Sequence, residues 1–72
     1  MAEQAVRSEA TGRVWKIEVA EGQAVAEGDT LLVVESMKME IPLAAPRAGT
    51  VVALHVAEGD MVEEDQVVLL LG

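Results

Sequence analysis

Residues 11–34, TGRVWKIEVAEGQAVAEGDTLLVV, align without a gap on residues 48–71, AGTVVALHVAEGDMVEEDQVVLLL, at an offset of 37. Nine of the pairs are identical: Gly12/Gly49, Val14/Val51, Val19/Val56, Ala20/Ala57, Glu21/Glu58, Gly22/Gly59, Val25/Val62, Glu27/Glu64 and Leu32/Leu69. That is far more than a chance alignment gives. Two copies of one supersecondary unit, neither able to bury its own apolar face, imply a pseudo-two-fold domain rather than a solenoid, which needs further copies. The whole chain, 1–72, is therefore expected to form a single domain.

Each copy reads as strands and turns. Gly22, Gly28 and Gly59 stand where a positive φ is expected, and Gly49 is read with them as a turn glycine. Asp65 occupies the position of Gly28, and Asp tolerates the left-handed region better than most residues. Val14, Ile17 and Val19 are apolar in one copy, Val51, Leu54 and Val56 in the other. A step of three in a period-two pattern predicts a β-bulge at the same place in both halves. No window keeps helical spacing, and turn signals recur throughout. The spacing predicts about seven or eight short strands, at 4–8, 12–19, 23–25, 30–35, 39–44, 49–56, 61–62 and 67–71. The class is all-β, a small sandwich or flattened barrel around one aliphatic core.

Composition supports a sheet core. Half of the chain, 51%, is hydrophobic, mostly Val, Leu and Ala, and Trp15 is the only aromatic residue. Five basic against thirteen acidic residues leave a net charge of -8, which argues against nucleic acid and anionic membranes as partners. The longest apolar run, Val67 to Leu71, is too short to span a bilayer. The N-terminus lacks an apolar signal-peptide core, and there are no cysteines. A cytoplasmic protein, monomeric in isolation, is expected, and the initial Met suggests a whole protein. One histidine, His55, cannot build a metal site, and no nucleophile-base pair suggests an enzyme.

The repeat junction falls at VVESMKMEI, Val33 to Ile41. If Glu35 and Glu40 pair across strands, Met37 and Lys38 occupy the corner of the turn. Two-residue hairpin loops select Gly, Asn or Asp because φ must be positive, and here both corner residues are long side chains. Strain of about 1–3 kcal/mol per residue is expected. A chain that obeys turn chemistry elsewhere and departs from it here marks a functional site. Primary amines are ammonium ions at neutral pH. Lys38 is therefore unsuited to act as its own nucleophile, and suited to acylation by another enzyme.

ESMKMEIPLAAPRAGTV, with EGQAVAEGDTLLVV before it and EGDMVEEDQVVLLLG after it, resembles the biotinyl/lipoyl attachment family over residues 5 to 71. It is most similar to the small single-domain biotin attachment proteins and biotin carboxyl carrier domains. The resemblance implies two four-stranded antiparallel sheets with Lys38 on an exposed hairpin. It implies that a biotin protein ligase transfers biotin from biotinyl-AMP to Lys38. The carrier would then take CO₂ at a biotin carboxylase and deliver it at a carboxyltransferase, the cofactor doing the chemistry. Ser36, Met37, Met39, Glu35 and Glu40 are expected to be read by the ligase. Ser36 stands where family carriers often have Ala, and GRVWKIEVAEGQ leaves no room for the protruding thumb of some bacterial carriers. Lipoyl domains usually present Asp-Lys-Ala at the tip; a lipoyl or dual biotin/lipoyl carrier is the alternative, and an unmodified interaction module a more distant one. Pro42 and Pro46 are expected to limit edge pairing. Trp15 and His55 are read as strand-packing or surface residues.

Overall fold

A computed structural model describes residues 3–72. It contains eight strands: β1 (Gln4–Arg7), β2 (Gly12–Ile17), β3 (Ala24–Val25), β4 (Thr30–Ser36), β5 (Met39–Ala44), β6 (Gly49–Leu54), β7 (Met61–Val62) and β8 (Val67–Leu71). They form two four-stranded sheets, ordered β1-β8-β6-β3 and β5-β4-β2-β7, with every pairing antiparallel. The fold is all-β, and the repeat offset maps one sheet onto the other strand for strand.

The two copies interlock. β3 of the first copy pairs with β6 of the second, and β7 of the second pairs with β2 of the first. Gly22 N and Gly59 N donate to the carbonyls of Val51 and Val14 in the opposite copy. The carboxylates shared by both copies do the same work in mirror positions. Glu58 accepts from Ile17 N at 3.0 Å, and Glu21 accepts from Leu54 N at 2.8 Å. β2 and β6 end at Ile17 and Leu54, two residues earlier than the apolar pattern suggests, although just beyond them Glu18 N still donates to the Leu31 carbonyl and His55 N to that of Val68.

The bulges fall where the step of three places them. Register shifts between Val14 and Lys16 in one copy and between Val51 and Ala53 in the other. Further shifts lie between Thr30 and Leu32 and between Val6 and Arg7, the latter facing Leu69 and Val67. They accompany consecutive buried residues in the two central strands, Leu31 with Leu32 and Val68 with Leu69. A single core of Val, Leu and Ala side chains fills the space between the sheets. Pro42 sits on the edge strand β5, where a missing N–H costs no ladder bond.

Gly22, Gly28 and Gly59 have φ of 89°, 89° and 93°, and Asp65 has 72°. Gly49 is different from the turn glycine expected of it. It opens β6, outside the positive-φ set, and a Cβ there would lie 2.6 Å from the Gly72 carbonyl oxygen. Its repeat partner Gly12 opens β2, where a Cβ would run into the Glu35 carbonyl oxygen. Both are close-approach glycines that let neighbouring strands pair. Gly12→Ala is expected to lower stability by about 1–3 kcal/mol, read as a shift of the urea midpoint at constant slope.

Arg47 fastens the end of the barrel where the chain ends meet. Its guanidinium donates to Gln4 Oε1 at 2.8 Å and to the carbonyls of Ala48, Gly72 and Leu71. The β4–β5 hairpin occupies the pseudo-symmetric counterpart of that open end.

Candidate functional site: the strained β4–β5 hairpin

The β4–β5 ladder runs Val34↔Ile41, Glu35↔Glu40 and Ser36↔Met39, leaving Met37 and Lys38 as a two-residue loop. Their φ values are 51° and 66°. Positive φ at both central positions is the signature of a type I′ turn, whose twist matches that of the flanking strands. Neither side chain favours the left-handed region, where an L-residue is destabilised by roughly 1–2 kcal/mol. Outside this pair, Asp65 is the only non-glycine with positive φ among the described residues.

The turn holds its side chains away from the barrel. Met37 is 93% exposed and Met39 65% exposed. Lys38 is exposed as well, and among the described residues no hydrogen bond or ion pair engages its amine. Ser36 and Glu35 are half-buried, and Glu40 is exposed. A methionine pair packed as gap filler would be covered; this pair is presented to solvent.

Glu35 and Glu40 face each other across the ladder, a pairing unfavourable for like charges. Arg13 on β2, which the sequence reading did not single out, stands opposite Glu35 on its other side, with Nη2 4.0 Å from Oε1. So exposed and long an ion pair contributes well under about 1 kcal/mol, yet it sets a cation beside two carboxylates just behind the tip. Only the register reveals it, since Arg13 and Glu35 are far apart in sequence. Trp15 and His55 are both exposed surface residues. Among the described residues no three His, Cys, Asp or Glu side chains gather to hold a metal. No helix long and apolar enough to cross a membrane is present among them.

What this arrangement offers is an accessible primary amine on a strained bend, with two carboxylates just behind it. The family described as "Biotin-requiring enzyme" matches residues 2–71. The chain belongs to the biotin/lipoyl attachment family. It is 43% identical over 60 residues to the Biotin/lipoyl attachment protein of Bacillus subtilis, covering 83% of this chain and 82% of that protein. It is 39% identical to the Biotinylated protein TB7.3 homolog of Mycobacterium leprae, covering 92% of this chain and 93% of the relative. Much larger proteins contain a similar segment. The crystal structure of the Kluyveromyces lactis urea carboxylase superposes with a TM-score of 0.93 at 35% identity, over 100% of this chain and 6% of that one.

Proposed function

We propose that this protein is a biotin carrier that is loaded on Lys38 and serves a biotin-dependent carboxylase system. The observation that carries the reading is Lys38 itself, an exposed amine on a two-residue loop with φ positive at both positions, inside a chain of this family. Loading is an acyl transfer: a biotin protein ligase takes a proton from the Lys38 ammonium, Nζ forms an amide with the biotinyl carbonyl, and AMP leaves from biotinyl-AMP. Bound biotin supplies a ureido nitrogen that accepts and releases a carboxyl group.

The chain's own share is presentation. The stiff hairpin fixes the direction in which Lys38 leaves the barrel, and the exposed Met37 and Met39 keep the approach open. Glu35 and Glu40 mark the approach with negative charge, in a protein of net charge -8. Related segments occur in proteins named Biotin-dependent acyl-coenzyme A carboxylase alpha3 subunit, of Mycobacterium leprae, and Propionyl-CoA carboxylase alpha chain, of Homo sapiens, at 41% and 39% identity. The chain spans 10% and 9% of those proteins. These likenesses support a biotin carboxylase and a carboxyltransferase as the enzymes that visit the loaded carrier.

Intact mass of the protein from its native host tests the reading. A single biotinyl adduct is expected, absent in Lys38→Arg while that variant keeps the wild-type melting temperature. A lipoyl adduct would replace the proposed cofactor, and an unmodified wild-type chain would overturn the carrier reading. Amide formation removes one cation, so the net charge moves from -8 to -9, a step that isoelectric focusing resolves.

A further inference from the structure

The two sheets are related by the repeat, so each outer face serves as a reference for the other. In the hairpin sheet one outward row runs Met61–Arg13–Glu35–Glu40 across all four strands. The next runs Lys16–Val33–Pro42, with Trp15 the bulged residue between the rows. In the other sheet the corresponding positions are Ala24–Thr50 and Ala53–Leu70–Ala5, with Val52 in the bulge. Thus Trp15 replaces Val52, Met61 replaces Ala24, Arg13 replaces Thr50 and Lys16 replaces Ala53. At these four positions the larger residue lies on the sheet that carries Lys38. Trp15 is 49% exposed and Met61 68% exposed.

Folding does not require this enlargement. The opposite sheet forms the same ladders and the same bulge with Val, Ala and Thr at those places. Solvating an indole and a thioether gains nothing, whereas Trp, Met and Arg are the side chains enriched at protein–protein contacts. At about 3.3 Å rise per residue, Trp15 lies roughly 12 Å behind the Lys38 tip on the same sheet.

We propose that the Arg13–Trp15–Met61 face is the seat of the biotin protein ligase. The inference rests on the loading of Lys38 proposed above. An enzyme that acts on the bare amine has only the four-carbon lysine stem between its active site and the hairpin. Its surface must therefore close against the β4–β5 sheet. Enzymes visiting the loaded carrier have the full length of the attached arm to spare and need no such close approach. A two-residue tip is also far smaller than the roughly 600 Å² a side that even a modest transient contact buries. Contact must extend onto the adjoining face, and Trp15 and Met61 are its large exposed apolar groups. The ligase surface that fits carries an apolar recess for the indole and thioether, with basic groups facing Glu35 and Glu40.

The test exchanges each residue for the one the fold already carries at the equivalent position: Trp15→Val, Met61→Ala and, as a third variant, Arg13→Thr. Purified apo-protein is titrated into a biotin protein ligase with biotin and ATP, and adduct formation is followed by mass. KM for the carrier is expected to rise about tenfold in Trp15→Val, a hot-spot loss, with kcat and melting temperature unchanged. Val52→Ala on the opposite sheet should leave KM as it is. Unchanged KM in all three folded variants overturns the proposal. So does a KM that rises only in the biotin carboxylase reaction, which would assign the face to that enzyme. Wild type that is never labelled at Lys38 would overturn the carrier reading itself, a result distinct from altered KM in a protein that does label.

Discussion

Leu69→Ala is expected to leave the protein largely unfolded at room temperature. Leu69 is 0% exposed and lies in β8, between Val6 of β1 and Leu54 of β6. Truncating a fully buried leucine costs about 2–5 kcal/mol through lost transfer energy and the cavity left behind. A core of this size, without metal or disulfide, rarely supplies more than roughly 3–5 kcal/mol in all. The loss therefore matches the whole stability. Dispersed amide resonances should collapse toward random-coil positions, and the cooperative thermal transition should vanish. Leu32 is its identical repeat partner, equally buried in β4, and Leu32→Ala should be as damaging. A large difference between the two would show that the copies do not share the core equally. A cooperative transition shifted by only a few degrees in both would contradict the placement of these leucines.

The second large effect separates stability from function. Replacing Met37 by Asn and Lys38 by Gly installs the pair that a type I′ turn favours most. Each native residue stores strain of about 1–2 kcal/mol, so the double variant should unfold at a higher urea concentration while accepting no acyl group at all. Met37→Asn alone, with Lys38 kept, should show part of the gain. Denaturation curves at matched slope measure one half of this expectation and intact mass after ligase treatment the other. No gain in stability would mean that the hairpin holds its residues without strain.

Much of this architecture was legible because the repeat and the pleat speak the same period. The step from Val14 to Ile17, matched by Val51 to Leu54, located both bulges. The polar breaks at Gly22, Gly28, Gly59 and Asp65 located the tight turns, and the absence of such a residue at Met37–Lys38 singled out the hairpin. What resisted reading was pairing across long separations. β3 and β7 hold two residues each, too few to show any period, so nothing local told which sheet each joins. Gly12 and Gly49 were opaque for the same reason, because the atoms that exclude a side chain there belong to Glu35 and Gly72, distant in sequence. Glu21 and Glu58 stood out as identical residues, but their use as acceptors for the opposite copy depends on the interlock. Arg13 joined the site through register alone.

The antiparallel pairing of β1 with β8 carries a topological consequence. Gln4 faces Leu71 across the open end, just as Ile41 faces Val34 beside the hairpin. Twice the offset of 37 is 74, two more than the 72 residues of the chain. The described strands thus follow a ring of two equal arcs, and two residues would complete the second arc. By the same offset the two added residues match Ser36 and Met37 and position 1 matches Lys38, so closing the ring with Ser-Met and placing Lys at position 1 would give a second bend the sequence of the first. The ring could then be reopened at Gly22–Gln23 or Gly59–Asp60, giving a permuted barrel with an exposed tip lysine at each end.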